Sequence, residues 1–550
     1  MIKDIISNMT MEEKVGQMCV PILQSDRITD EIKTAVTKMG AGVIRYCPNA
    51  EFDNNSVMVG KPNKYFHPDE TAEFLNSLQA ITETTRHKIP LIITVDQEGG
   101  TRNDMNRGGT MVYASHMCFG VADDPELTYQ IAKATAEEFR AMGVNMLQAP
   151  IADVFRYEGR KTMKAATFGE DAQKVAKHVV AMKRGIMDGN LISMIKHFPG
   201  YGSIATDAHK GTAEITKDLQ TLEKEDIVPF KQAFEDGIDG VMVGHVIVKC
   251  LDDKYPATLS KIVVTDYLRG KLGFDGIVMT DAMRMRAIQD NYGTAEASVM
   301  AVQAGCDLVL LRGDFEHYTQ GYEAILAAVK SGKIPMEQID KSVERILKVK
   351  EKKGLFENRY ADPQKALDIV GCEEHRKLLC SLAEKSVSIL KSSTLPLKAN
   401  DGKKIFVVCP EPQKIAAAMD EKQSVDMLIR AVKNRHENTT GLMVDLNPTD
   451  NQIKTAVEMA ADSDIIIAAT CNAILYDRQI ELVNAMQNTG KTVIVVAIES
   501  PCDIEVLNNV NDYVCTYGVA DDWMIAASSL MFGESSISGV PPIDMSNMLK

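Results

Sequence analysis

The chain has 550 residues, 45% hydrophobic and 25% charged, with a formal net charge of -15 at pH 7. That length and balance predict an ordinary soluble globular protein with more than one core, and the negative surplus excludes nucleic acid and anionic membrane surfaces as partners. No uncharged apolar run approaches the roughly 18 residues of a spanning helix; the longest, such as Val493 to Ile498, are strand-sized. Met1-Ile2-Lys3-Asp4 shows neither an apolar h-region nor a small-residue cleavage site, so export is not expected. The 11 cysteines stand singly, without a CxxC pair. Buried free thiols in a reducing cytoplasm are the expectation, in preference to a disulfide framework or a zinc site.

Thr10-Met11-Glu12-Glu13 has capping-box spacing and predicts a helix start. Eight apolar runs of strand length come next: Val15–Pro21, Gly42–Tyr46, Leu91–Val95, Val144–Ala149, Ile192–His197, Gly240–His245, Ile277–Asp281 and Leu308–Leu311. Helical period fills the intervals. Leu127, Ile131, Ala134 and Met142 share one stripe; Ile339, Val343, Ile346, Leu347 and Lys350 form a cleaner one, with the Lys350 amine expected to snorkel to water. Eight strands alternating with helices predict an α/β fold with an N-terminal (β/α)8 TIM-type barrel over residues 1–356. A doubly wound sheet is the alternative, and would not usually need so many units. Residues 357–400 read as a helical linker. A second α/β pattern occupies 401–550, with runs Ile405–Cys409, Leu442–Val444, Ile465–Ala468, Val493–Ile498 and Tyr513–Thr516. Their continuously apolar character predicts a parallel sheet covered on both faces, an αβα sandwich.

A barrel places its chemistry at the C-terminal ends of its strands. Asp96 follows the third run, Lys196 and His197 close the fifth, His245 the sixth, Asp281 the seventh, and Arg312 follows the eighth. Asp281 reads as a helix cap or as a carboxylate nucleophile that attacks an anomeric carbon; for a metal, no second ligand stands at suitable spacing. Lys196-His197-Phe198-Pro199-Gly200-Tyr201-Gly202 leads into Asp207-Ala208-His209. A loop histidine is ordinarily solvated, but beside a carboxylate it can be oriented to deliver a proton to a leaving oxygen, and the glycines predict a mobile loop over residues 201 to 209. A strand-end Lys-His pair turns only one side chain inward. His245 is equally a satisfied core histidine. In Asp96-Gln97-Glu98-Gly99-Gly100, Asp96 reads as an acceptor from sugar hydroxyls and Glu98 as a helper to the turn; no GxGxxG for a dinucleotide is present.

These segments resemble glycoside hydrolase family 3, and within it the β-N-acetylglucosaminidase branch. Val95 to Gly100 looks like the family's sugar-binding strand, Lys196 to Gly200 with Asp207-x-His209 like the loop that marks the branch, and Gly273-Phe274-Asp275-Gly276 through Thr280-Asp281-Ala282-Met283 like its nucleophile strand. Ser331 to Phe356 resembles the end of the barrel domain, and Phe532-Gly533-Glu534 with Gly539-Val540-Pro541 the end of the αβα domain. The resemblance implies a retaining glycosidase that removes non-reducing terminal β-linked N-acetylhexosamine. Asp281 would be the nucleophile and His209, paired with Asp207, the acid/base. Asp96, Lys196 and His197 would hold the sugar, with Arg102 and His245 beside them. No metal or organic cofactor is expected. The implied substrates are small carbohydrates such as the muropeptide fragments of cytoplasmic cell-wall recycling. Phosphorolysis, an altered β-glycoside specificity and a non-catalytic sugar-binding relative are the alternatives. The chain departs from the family pattern at Thr101, Ala166, Tyr201 and Ala208, where two arginines, a histidine and a Ser/Thr are usual. Losing guanidinium forks removes directed donors to sugar hydroxyls; Arg160, Lys161 and Lys164 are the nearby candidates for compensation.

Overall fold

The computed structural model describes residues 1–48, 67–100, 102–105, 109–205, 211–411 and 426–549. The capping box forms in full: the Thr10 hydroxyl accepts from the Glu13 N–H at 3.2 Å, and Glu13 Oε2 accepts from the Thr10 N–H at 2.8 Å. It starts helix α1 (Met11–Met18), which claims Val15 to Met18 from the expected first strand. The strand itself, β1, begins at Cys19 and runs in two pieces, Cys19–Val20 and Ile22–Leu23. Pro21, with no N–H to give, stands at the break.

Seven further parallel strands follow: β2 (Val43–Tyr46), β3 (Ile92–Val95), β4 (Met146–Leu147), β5 (Ile192–Phe198), β6 (Gly240–Val243), β7 (Ile277–Thr280) and β8 (Val309–Leu310). Each pairs with the next, from Ile22 opposite Arg45 around to Gly240 opposite Ile277. Met279 bridges to Leu308, and Cys19 pairs with Val309, so the ring closes. All eight expected runs contribute a strand to a (β/α)8 barrel. Helices α2 (Pro125–Ala141) and α3 (Ala172–Asp188) pack together outside it, where Gly185 of α3 approaches Tyr129 and Ala132, and the expected stripe Leu127, Ile131 and Ala134 of α2 is buried. On α4 (Met336–Lys352) the expected stripe is buried, but Lys350 does not snorkel. Its amine stays inside and donates to Gln17 Oε1 at 2.8 Å, because α4 packs directly against α1.

Helix α5 (Glu373–Ser386) leads into β9 (Ser388–Lys391), so the stretch read as a helical linker also supplies a strand. Strands β10 (Ile405–Pro410), β11 (Thr439–Val444), β12 (Ile465–Thr470), β13 (Thr492–Ala497) and β14 (Asp512–Cys515) complete a sheet of order β9-β14-β13-β12-β10-β11. Only β9 is antiparallel. Helices α6 (Met427–Lys433) and α9 (Asp521–Met531) pack together, as do α7 (Asp450–Ala460) and α8 (Asp477–Gln487), and the two pairs cover opposite faces. That makes the αβα sandwich. The two units meet closely: the Ser115 hydroxyl donates to the Tyr517 carbonyl at 2.7 Å. No helix among the described residues is long and apolar enough to cross a membrane.

Candidate active site

The mouth at the C-terminal strand ends collects the charges. Lys196, at the end of β5, is buried, and its Nζ donates to Asp96 Oδ1 and reaches Glu98 Oε1, each at 2.5 Å. Burial alone would drive off its proton, but the Asp96 and Glu98 carboxylates outweigh it and raise the lysine above its ordinary pKa. Burial would likewise keep Glu98 neutral; Lys196 and Arg102 overcome it and lower the acid. Glu98 is thus an ion-pair partner as well as part of the turn. Arg102, half-exposed, approaches Glu98 Oε2 at 3.5 Å from the rim.

His197 is buried beside Lys196, so both members of the pair enter the site region. The pairing of β5 with β6 shifts register between Val241 and Val243, opposite this dipeptide, which breaks the simple in-out alternation. Its Nδ1 lies 2.9 Å from Asp153 Oδ2, in the loop after β4, and its N–H and that of Tyr201 point at Asp153 Oδ1. Burial opposes the imidazolium, but Asp153, reinforced by Asp281, raises the pKa. The Tyr201 ring stacks on His197 with centroids 4.8 Å apart. Gly202 then passes so close to the loop after β4 that a Cβ would sit 1.6 Å from the Val154 carbonyl oxygen.

Asp281 follows β7 and is half-buried, with Oδ1 accepting from the Ala282 N–H at 2.7 Å. His245 stands behind it. Its Nε2 lies 3.0 Å from the Ala282 carbonyl and its Nδ1 2.9 Å from the Thr258 hydroxyl. With both ring nitrogens engaged by protein, His245 supports the segment that carries Asp281. Arg160, a candidate for compensation, is committed elsewhere: its guanidinium grips Glu505 of the sandwich at 2.6 and 2.9 Å.

Asp207 and His209 lie outside the described residues, as does Thr101. The segment carrying them leaves from Tyr201, stacked on His197, and returns at Ala213–Ile215, which pairs with Val246–Val248 just beyond His245. Three residues escaped the sequence reading: Arg45, Asp104 and Asp153. Asp153 was visible as a lone acid in the apolar run after the fourth strand, and Arg45 as a lone cation inside Val43-Ile44-Arg45-Tyr46.

A closed parallel barrel with carboxylates and cations gathered at its C-terminal mouth has the layout of a barrel enzyme's active site. Residues 10–349 match the glycosyl hydrolase family 3 N-terminal domain, and the chain belongs to that family. The glycoside hydrolase family 3 β-N-acetylglucosaminidase from Paenibacillus sp. str. FPU-7 superposes with a TM-score of 0.89 at 28% identity, over 98% of this chain and 99% of that one. β-Hexosaminidase A of Pseudoalteromonas piscicida is 27% identical over 364 residues, 62% of this chain and 60% of that protein. The periplasmic β-glucosidase/β-xylosidase of Dickeya chrysanthemi is also 27% identical, over 72% of this chain and 65% of its own length. The chain thus spans less than two thirds of either of these two relatives.

Proposed function

We propose that the protein is a retaining glycosidase that removes non-reducing terminal β-linked N-acetylhexosamine, GlcNAc in the first instance. The observation that carries this reading is the placement of Asp281. Its carboxylate is fixed at the end of β7 by the Ala282 N–H, at the mouth where Asp96, Lys196 and His197 form a charged cradle. Such a carboxylate is suited to attack the anomeric carbon and form a glycosyl-enzyme ester. His209, with Asp207 beside it in sequence, protonates the leaving oxygen and then activates the water. Asp96 accepts from sugar hydroxyls, and Lys196 and His197 donate. The full-length similarity to the Paenibacillus β-N-acetylglucosaminidase supports the choice of sugar. The 11 cysteines, all free and most of them buried, support a cytoplasmic setting with muropeptide-type substrates.

A panel of aryl β-glycosides tests this. The wild type should prefer the N-acetyl-β-glucosaminide, and D281N should bind it without turnover. Near wild-type rates for D281N would sink the nucleophile assignment. On the same panel, H209A should slow poor leaving groups by roughly 10²–10⁴-fold and activated phenolates far less, because a phenolate departs with little protonation. Equal losses for both classes would make His209 a binding or structural residue.

A further inference from the structure

Arg45 is a charge set in an otherwise apolar, wholly buried strand, which is costly unless the charge is paired. Its Nη2 donates to Asp96 Oδ2 at 3.3 Å and to Asp104 Oδ2 at 3.0 Å, so one nitrogen ties two acids together. Asp104 in turn clasps the Asp96 backbone. Its Oδ2 accepts from the Asp96 N–H at 2.7 Å, and its own N–H donates to the Asp96 carbonyl at 2.8 Å. The Cys47 thiol, donating to Asp104 Oδ1 at 3.0 Å, steadies that acid from the residue just after β2. With Lys196 on Oδ1, every polar atom of Asp96 has a protein contact.

We propose that Arg45 and Asp104 are positioning residues that fix the angle at which Asp96 presents its carboxylate to the sugar. Among the three acids of the cluster, Asp96 is the one that reaches the opening: its side chain is 21% exposed, against 5% for Glu98 and 8% for Asp104. It is the working group, and the other two belong to the frame. Lys196 alone would leave the carboxylate free to turn about its terminal torsion; the guanidinium on the second oxygen removes that freedom before the sugar arrives, so orientation is not lost entropy at binding. This device also places a cation under the sugar-binding edge in a chain whose loop after Gly100 carries Asp104. The inference rests on the reading of Asp96 as a hydroxyl acceptor.

The test is a pair of double-mutant cycles on the aryl β-glycoside that the wild type cleaves best. R45M and D104N should each raise KM roughly 10- to 100-fold with a smaller fall in kcat. R45K should recover most of the loss, because each described side-chain hydrogen bond of Arg45 runs through Nη2 alone. In a D96N background, R45M and D104N should cost less than about threefold. Losses of equal size in both backgrounds, or a loss of Tm with KM of the folded enzyme unchanged, overturn the proposal. If R45M does not fold, the D104N cycle decides by the same outcomes. A D96N enzyme with wild-type KM would overturn the hydroxyl-acceptor reading itself and the positioning role with it; an impaired D96N with additive cycles overturns the positioning role alone.

Discussion

Burial disfavours the His197 imidazolium, but Asp153 against its Nδ1 outweighs that and raises the pKa above its ordinary value. An imidazole whose folded pKa is raised binds its proton more tightly folded than unfolded. Its stabilisation is therefore whole below the unfolded value of about 6.5 and is lost as pH rises through the folded one. D153N keeps the shape and the oxygen that faces the two N–H groups but removes the anion. Denaturant unfolding should show that D153N costs more stability near pH 5.5 than near pH 9; equal costs would mean that His197 is neutral in the folded protein. Residue types at the strand ends were readable in advance: Asp96, Lys196, His197 and Asp281 all stand at the mouth. Their partners were harder to read. Asp153 and Asp104 act across loops whose course no local pattern specifies, and the partners of the His245 ring, Thr258 and the Ala282 carbonyl, lie 13 and 37 residues away.

Among the elements, the strands were legible because a parallel sheet buried on both faces must be continuously apolar. The misreadings have physical causes. Val15 to Met18 is apolar enough for a strand, but the capping box at Thr10 and Glu13 commits it to α1. Strand β9 is half-buried at an edge, and its pattern merges with the helix before it. Lys350 occupies a position from which a lysine commonly reaches water, yet α1 covers it. Burial, with Arg359 adding repulsion, lowers its pKa to about 7. The sign is opposite to that of His197: between about 7 and the unfolded value of about 10.4, the unfolded chain holds the extra proton, so stability rises with pH. The slope from one such group is about 1.4 kcal/mol per pH unit at most. K350M should flatten the rise of unfolding free energy between about pH 7 and pH 10, even though Gln17 Oε1 loses its donor. A slope identical to the wild type would place the Lys350 amine in contact with water.

For the molecule as a whole, the consequential feature is how little space separates barrel from sandwich. A Cβ on Gly518 would stand 2.1 Å from Ala114 Cβ and 2.7 Å from Ala114 Cα, one residue before the Ser115–Tyr517 hydrogen bonds. Backbone approach of this kind cannot be relieved by a flexible side chain, whereas the Arg160–Glu505 ion pair nearby is partly solvated and worth on the order of 1 kcal/mol. Close packing should therefore couple the units far more than charge does. Calorimetry of the wild type should show one transition, since neither unit can expose this face without the other losing its cover. G518V should force the faces apart, lower Tm and resolve two transitions, while E505Q leaves a single transition close to the wild-type Tm. The loop after β4, which carries both Asp153 and Arg160, joins the sandwich contact to the His197 side of the mouth. G518V should for that reason also reduce turnover at temperatures where both units remain folded. Two transitions already present in the wild type, or G518V unfolding in one step at an unchanged Tm, would show that barrel and sandwich are independent neighbours.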